Sequence, residues 1–381
     1  MMFVALRMLV GDRLKYLGLV VGIAFSTLLI TQQASILVGL AWQTGAFIRD
    51  TSQADLWVMD EQVRFSQDAL ALPDTTLSRV RGVEGVSWAV PLYEGFVRAR
   101  LPDGTRMLMI LIGIDDATLI GGPPTMVEGR LADLRQDRAV LIDAEAAATK
   151  MKLKRDGNRP LRVGDSLSIN DSELRVAGTY RASKSFFWEP MIYTTYSRAL
   201  SVAPKERKMM AFVMVKAQAG QDLGELSRRI ESTTRLKCRT NDQFIEVTTN
   251  YILKETGILI NFGMAVGLGF LIGTLVTGQM LYNFTIDNLR HYGALRAMGA
   301  TSGTLIVMVA VQALVVGAMG YGIGLGAGTL LGRAVASGGL AFRMPWEIPA
   351  LAAGAILTIC LASAVLSLVR VLRLEPAIVF K

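Results

Sequence analysis

Four stretches of the chain contain no Asp, Glu, Lys or Arg: Leu17 to Ala41, Gly257 to Asn283, Thr304 to Gly332 and Ile348 to Val369. Each can cross a hydrocarbon core about 30 Å thick, which takes about 20 residues at the helical rise. A lone segment in lipid must satisfy its own backbone polar groups, so it takes helical form. Charged residues make up 19% of the chain, against about 25% in an ordinary soluble domain. The expected fold is a membrane protein with four transmembrane α-helices (17–41, 257–283, 304–332 and 348–369). A large α+β extracytoplasmic domain, 42–256, lies between helices 1 and 2.

Arg7, Arg13 and Lys15 precede the first window as they would precede a signal peptide core. That window is longer than such a core and no A-x-A site closes it, so it reads as an uncleaved anchor. In MMFVALRMLVGDRLKY, residues 1–16, Phe3, Leu6, Val10 and Leu14 recur three or four apart among basic residues. This suits an amphipathic helix on the cytoplasmic membrane surface; a frayed basic tail is the plainer alternative. The short flanks set the orientation. Arg7, Arg13, Lys15, Arg290, Arg296, Arg370, Arg373 and Lys381 lie on one side, against Arg333 and Arg343 in the opposing loop 333–347. The cationic side faces the cytoplasm, placing both termini, the stretch 284–303 and the tail 370–381 inside. Trp42, Tyr251, Tyr282 and Trp346 stand at window edges, where amphipathic rings favour the headgroup zone. Most of the net charge of +8 belongs to these flanks. It is topological and does not indicate nucleic-acid binding.

The outer domain reads as strands at 107–114, 139–143, 165–169 and 174–180, with LPDGT at 101–105 as a turn. Helices are expected at 74–86 and 217–233. The segments 44–60 and 239–257 read as helical or extended approaches to the membrane. KMKLKRDGNRPLR, 150–162, is a basic loop, either solvated or a docking surface. Phe186, Phe187 and Trp188 stand together before a proline. They are either core or an exposed apolar patch for a partner or an amphiphilic cargo.

Several chemistries are excluded. No lysine follows a glycine, so the phosphate-cradling pattern G-x-x-x-x-G-K-[ST] cannot occur and the chain brings no ATP site of that kind. The sole histidine, His291, is placed inside, which removes a Ser-His triad or a multi-histidine metal site from the outer domain. Gln32, Gln33, Asn261, Gln279 and Gln312 are polar amides of the windows. Ion-coupled carriers need ionisable groups at that depth. Glycines recur four apart at Gly18 and Gly22, Gly263 and Gly267, Gly269 and Gly273, and Gly320, Gly324 and Gly328. Such spacing lets helices approach closely, within one chain or between two copies.

Between the second and third windows, NLRHYGALRAMGATSG leaves the membrane for only a few residues. A helix over 286–298 sets Leu289, Tyr292, Leu295 and Met298 along one apolar face, with Asp287, Arg290, His291 and Arg296 alongside. Gly299 then stops it. Such a stub can be a bare linker or a lever whose apolar face fits a groove on a cytoplasmic protein.

YGALRAMGATSGTL resembles the cytoplasmic coupling segment of FtsX-like permeases, the MacB or type VII class of ABC transporters. That segment commonly reads E-I-G-x-L-R-A-[ILM]-G-A. Gly293, Leu295, Arg296, Ala297, Met298, Gly299 and Ala300 match it, and His291 stands where Glu is common. The ending RVLRLEPAIVFK resembles the family's basic finish through Arg373, Pro376 and Ala377. EGR at 128–130, AVLID, VGDSL and LRVAGTY are similar to its outer core domain. VSWAVPLYEGFVRARLPDGTRMLMILIGID and NYILKETG look closest to the DevC-like subgroup, which lacks a fused ATPase.

The resemblance implies a non-catalytic permease subunit of the bacterial inner membrane, paired with a second copy of itself. It also implies two copies of a cytoplasmic ABC ATPase subunit that bind the ATP and Mg, with no cofactor in this chain. A periplasmic membrane-fusion adaptor and a TolC-like outer-membrane channel complete the implied assembly, and no nucleic acid takes part. Two related builds stay open at this point: an FtsX-like signal transducer that regulates a periplasmic hydrolase, and a lipoprotein-releasing permease.

Overall fold

The computed structural model describes residues 2–51, 53–204, 209–337 and 340–372. Arg373, Pro376 and Ala377, and with them most of the expected tail, lie outside the described residues. The chain opens with α1 (Met2–Gly11), α2 (Arg13–Thr44) and α3 (Ala46–Asp50). It continues through β1 (Leu56–Met59), α4 (Thr75–Arg81), β2 (Val86–Arg100), β3 (Arg106–Ile114), β4 (Thr125–Glu128), β5 (Ala139–Asp143) and α5 (Ala144–Ala148). Then come β6 (Ser166–Ile169), β7 (Ser172–Arg181), β8 (Met191–Thr195), α6 (Tyr196–Val202), β9 (Phe212–Ala217), α7 (Leu223–Thr234), β10 (Lys237–Thr240) and α8 (Asn241–Glu255). Four helices close it: α9 (Ile258–Asp287), α10 (Leu289–Ala297), α11 (Ser302–Ser337) and α12 (Glu347–Leu372). Two compact units result, one from residues up to Leu40 with those from Gly257 onward, the other from Ala41–Thr256.

In the first unit α2, α9, α11 and α12 are each long and apolar enough to cross a membrane, and each overruns its uncharged window by a few residues. Their packing explains most of the glycine spacing. A Cβ on Gly320 would stand 2.6 Å from the Ile23 Cβ of α2, and one on Gly324 would meet the Ala24 carbonyl and the Thr27 Cβ. Gly18 and Gly22 lie against Met280 and Val276 of α9, while Gly269 and Gly273 lie against Leu29 and Ser26 of α2. Those four expected positions therefore pack helices of one chain. Gly263 and Gly267 do not, since a Cβ there meets nothing within 4 Å. Of the N-terminal residues, Ala5 and Leu9 are fully buried, whereas Phe3, Val10 and Leu14 stay exposed. Phe3 and Val10 lie on the open side of α1, but the helix expected over 1–16 breaks at Asp12 and Leu14 already belongs to α2.

The second unit is built on a ten-stranded sheet in the order β10-β1-β9-β2-β3-β8-β5-β7-β4, with β6 bridging β2 and β7. Its spine is β2, whose 15 residues pair antiparallel with β9 up to Leu92 and with β3 from Tyr93 onward. Parallel pairing occurs at β3–β8 and β5–β7. The expected strands begin at 107 and leave β2 unnamed, although the turn at 101–105 calls for a strand before it; Pro91 stands inside β2, where proline is unusual in a central strand. Pro91 falls where β9 is the paired neighbour, before β3 joins. Two expected helices are shorter than read. The first stops at Arg81, because Gly82 caps it and the chain then enters β2 at Val86. The second begins only at Leu223, where Asp222 accepts the Glu225 N–H at 2.7 Å; Ala217 still belongs to β9.

The glycine contacts yield a contrast between two substitutions. Gly324→Val forces a branched side chain into the α2 backbone and should destabilise the bundle by about 1–3 kcal/mol. Gly267→Val adds atoms where the single chain leaves open space and should leave the stability of the monomer near the parent value. Thermal unfolding of the purified full chain in detergent reads the difference; equal midpoints for the two variants would show that the α2–α11 approach is not tight.

Candidate functional site at helix 289–297

Asn288 separates the second long helix from the short one. Its side-chain amide donates to the Phe284 carbonyl at 2.9 Å, and its own carbonyl accepts the Tyr292 N–H at 3.1 Å. The expected single helix over 286–298 is therefore two pieces, with Asp287 ending α9. The far end closes as a Schellman motif. The Ala300 N–H donates to the Leu295 carbonyl and the Gly299 N–H to that of Arg296, both at 3.0 Å. Gly299 holds φ at 93°, a left-handed value that suits glycine. Two residues on, the Thr301 hydroxyl accepts the Thr304 N–H at 3.3 Å and starts α11.

The inner face of α10 is sealed. Tyr292 is fully buried and Leu295 is 9% exposed, and both belong to a core shared with Leu9, Phe284, Leu305 and Met308. The Tyr292 hydroxyl donates to the Gln312 amide oxygen at 3.0 Å, and the Gln312 amide nitrogen donates to the Ala5 carbonyl at 2.8 Å. Gln312 and Ala5 are themselves fully buried. A continuous polar chain thus joins α10, α11 and α1. Burial, eased in part by the Gln312 bond, raises the Tyr292 phenol to about 12, so it stays a donor at any physiological pH.

This corrects the expected docking face. Tyr292 and Leu295 cannot enter a groove on another protein, because the helix spends them on its own bundle. The surface left outside carries Arg290, His291, Ala297 and Met298, the last 75% exposed. Arg296 lies half-buried between the two faces. Asp287 is drawn toward the N-terminal end, where Lys15 Nζ sits 2.5 Å from its carboxylate and 2.9 Å from that of Asp12. All three side chains are well exposed, and such pairs contribute little stability. The sequence reading counted Gln312 only as a polar amide in an apolar window and did not connect it with Tyr292. An isolated amide at such depth is the signal that points to a partner.

In the outer unit the expected aromatic patch is neither plain core nor a flat exposed surface. Phe186 and Trp188 are half-buried and Phe187 is 37% exposed. The Phe187 ring lies 5.9 Å from Phe65 and 6.2 Å from Phe96, joining segments far apart in sequence. Trp188 holds φ at 60°, an outlier for a bulky residue.

Residues 16–233 match the family described as the MacB-like periplasmic core domain, and residues 252–376 match the FtsX-like permease C-terminal family. An uncharacterised ABC transporter permease of Methanocaldococcus jannaschii is 24% identical over 184 residues, covering 47% of this chain and 45% of the relative. The chain thus matches less than half the length of that curated relative. Among solved structures, the periplasmic region of MacB from Actinobacillus actinomycetemcomitans is similar at 15% identity and a TM-score of 0.38, covering 53% of this chain and 96% of that one. The extracellular domain of the ABC-type transporter YknZ from Gram-positive bacteria is similar at 15% identity and a TM-score of 0.35, covering 49% and 98%. With the family match spanning more than half of its residues, and a second permease match following it, this multi-pass membrane chain with an extracytoplasmic domain belongs to the MacB/FtsX type of ABC transporter permeases.

Proposed function

We propose that the chain is the permease subunit of an ABC exporter that works by mechanotransmission. Two copies of a separate cytoplasmic ATPase subunit bind ATP and Mg, close on one another and push on α10. The permease passes that displacement outward, driving an amphiphilic or hydrophobic substrate from the periplasm or outer leaflet through a membrane-fusion adaptor and a TolC-like channel. The setting is the bacterial inner membrane, with both termini inside and the large domain periplasmic. The observation that carries this reading is the division of α10 into two faces. One is locked to α1 and α11 through Tyr292, Gln312 and Ala5; the other leaves Arg290, His291 and Met298 exposed for a partner.

A displacement needs a free-energy source, and a partner shifts an equilibrium only by its differential affinity for the two states. The exposed face makes that differential contact, and the locked face prevents α10 from turning in place. A second copy of the chain is assigned to the side of α9 bearing Gly263 and Gly267. There Ile260, Met264, Leu268, Leu271 and Leu275 are all exposed in the single chain.

Met298→Asp and Leu295→Asp should therefore fail in different ways. The first leaves the fold intact and breaks co-purification with the ATPase subunit in mild detergent. The second buries a charge and destabilises the chain itself, by several kcal/mol. A Met298→Asp chain that still binds the ATPase and exports cargo in full contradicts the coupling role of the exposed face.

Gln312→Leu leaves the exposed face untouched and strands the Tyr292 hydroxyl, at about 1–3 kcal/mol, while the Ala5 carbonyl keeps only its place in α1. The expected outcome is an assembled complex that hydrolyses ATP while export falls at least about tenfold. Parallel ATPase and export assays on the reconstituted complex measure the split. Unchanged export would remove the buried chain from the transmission path.

A further inference from the structure

Along β2, Val90, Leu92 and Phe96 contribute to one side of the sheet, alternating with Tyr93 and Val97 on the other. Glu94 occupies the register position between Leu92 and Phe96, opposite Ile112 of β3. It is only 6% exposed, a place where an apolar residue is the norm. Neither of its carboxyl oxygens closes a hydrogen bond with a described residue, and the Gln67 amide is the polar side chain that eases its burial. Two residues from Gln67, the Phe65 ring stacks on Tyr251 of α8 at 5.2 Å and lies 5.9 Å from Phe187. Phe187 in turn meets Phe96 at 6.2 Å. Phe65, Phe96 and Tyr251 are all half-buried. Four separate segments thus bring aromatic rings into one half-buried cluster, on the side of the sheet where Glu94 stands beside Phe96.

We propose that this cluster opens into a basin that binds an organic ammonium group carried on an apolar body, with Glu94 as its counter-ion and Phe65, Phe96, Phe187 and Tyr251 as its walls. Ring faces attract cations through their quadrupole, most strongly when water is excluded. The rim already shows this preference, since the Arg64 guanidinium lies 4.9 Å over the Tyr251 ring while bound to Asp68 at 3.0 Å. The surrounding charges act in the same sense. Beyond burial, the Asp50 and Asp143 carboxylates push both the Tyr193 and the Tyr180 phenols upward. Asp50 is held by the Ser183 N–H and hydroxyl at 2.6 and 3.0 Å, and Asp143 caps α5. These two carboxylates favour a nearby cation over an anion.

Burial holds the Glu94 carboxyl well above its ordinary value of 4.5, so with the basin closed it carries a proton. An arriving ammonium ion replaces that proton, which leaves to bulk solvent, and the buried charge is balanced throughout. Opening requires Phe187, the most exposed ring, to swing from Phe65 and Phe96. The strained Trp188 beside it places a stored distortion next to that motion. As the place where cargo is first held, the basin rests on the export reading above; as a cation site it does not.

Equilibrium dialysis of tritiated benzyltrimethylammonium against the full chain in detergent, with empty micelles as background, tests it without any ATPase. One saturable site per chain is expected. Binding should tighten as pH rises toward the raised carboxyl value, by up to about tenfold per pH unit, because the proton must leave. Glu94→Gln should weaken binding at least about tenfold and abolish that pH dependence. Phe187→Ala should weaken it several-fold, and benzenesulfonate should not compete.

Loss of fold is separable from loss of the site. A carboxyl kept protonated in the folded state but ionised once unfolded costs stability increasingly as pH rises above 4.5. Removing that ionisation with glutamine should give an equal or higher unfolding temperature at neutral pH. Absence of saturable binding, equal binding by Glu94→Gln, or competition by benzenesulfonate overturns the proposal. None of these results bears on whether Met298 docks an ATPase.

Discussion

A primary amide buried among apolar helices has two donors and an acceptor to satisfy and no water to do it with. Gln312 sets its acceptor against the Tyr292 hydroxyl on one side and one of its donors against the Ala5 carbonyl on the other. Either bond alone would leave a buried polar group stranded. The two together fix the short helix, the third long helix and the N-terminal helix as one body. The arrangement gives α10 its orientation, and that orientation decides which residues it can offer to another protein. A helix with the same sequence, free to rotate, would present Tyr292 and Leu295 outward and would carry no directed force.

Close helix packing supplies the frame in which this bond chain is held. Lipid gives little hydrophobic drive for helices to associate, so contact depends on shape. Small residues at Gly320, Gly324 and Gly328 let α11 approach Ile23, Ala24 and Thr31 of α2. On α2, Thr27 and Thr31 need no partner from elsewhere, since each donates to a carbonyl one turn back in its own helix. Gln312 is different, because its side chain reaches beyond its own helix. In the outer unit, by contrast, the sheet is organised by one long strand that pairs with different neighbours along its two halves. Glu94 lies on that strand just past the change of neighbour from β9 to β3.

Much of this was legible in the residues. Uncharged windows give the four long helices, since nothing else satisfies a backbone in lipid. Gly299 gives the end of α10, because its left-handed conformation suits glycine. The strands at 107–114, 139–143 and 174–180 follow from apolar runs cut by turn residues and were found close to their observed limits. What the sequence did not disclose depends on contacts across long separations. Periodicity puts Tyr292, Leu295 and Met298 on one apolar stripe, yet only packing decides that the first two turn inward and the third outward. β2 is implied only by the turn at 101–105, and its length depends on two neighbours, β9 and β3, that join it along different halves. Glu94 read as one charge among many until the sheet buried it.

The central claim is that α1, α10 and α11 move as one body when a motor acts on the exposed face of α10. Spin labels at position 7 of α1 and position 297 of α10, in the full complex reconstituted in lipid, measure this directly by pulsed electron–electron distance. With labelled chains diluted among unlabelled copies, a single narrow separation, unchanged between the nucleotide-free ATPase and the ATPase trapped with ATP, is what rigid coupling predicts. A separation that widens or splits when ATP is trapped would mean that the short helix slides past the bundle, and the account of transmission would be wrong.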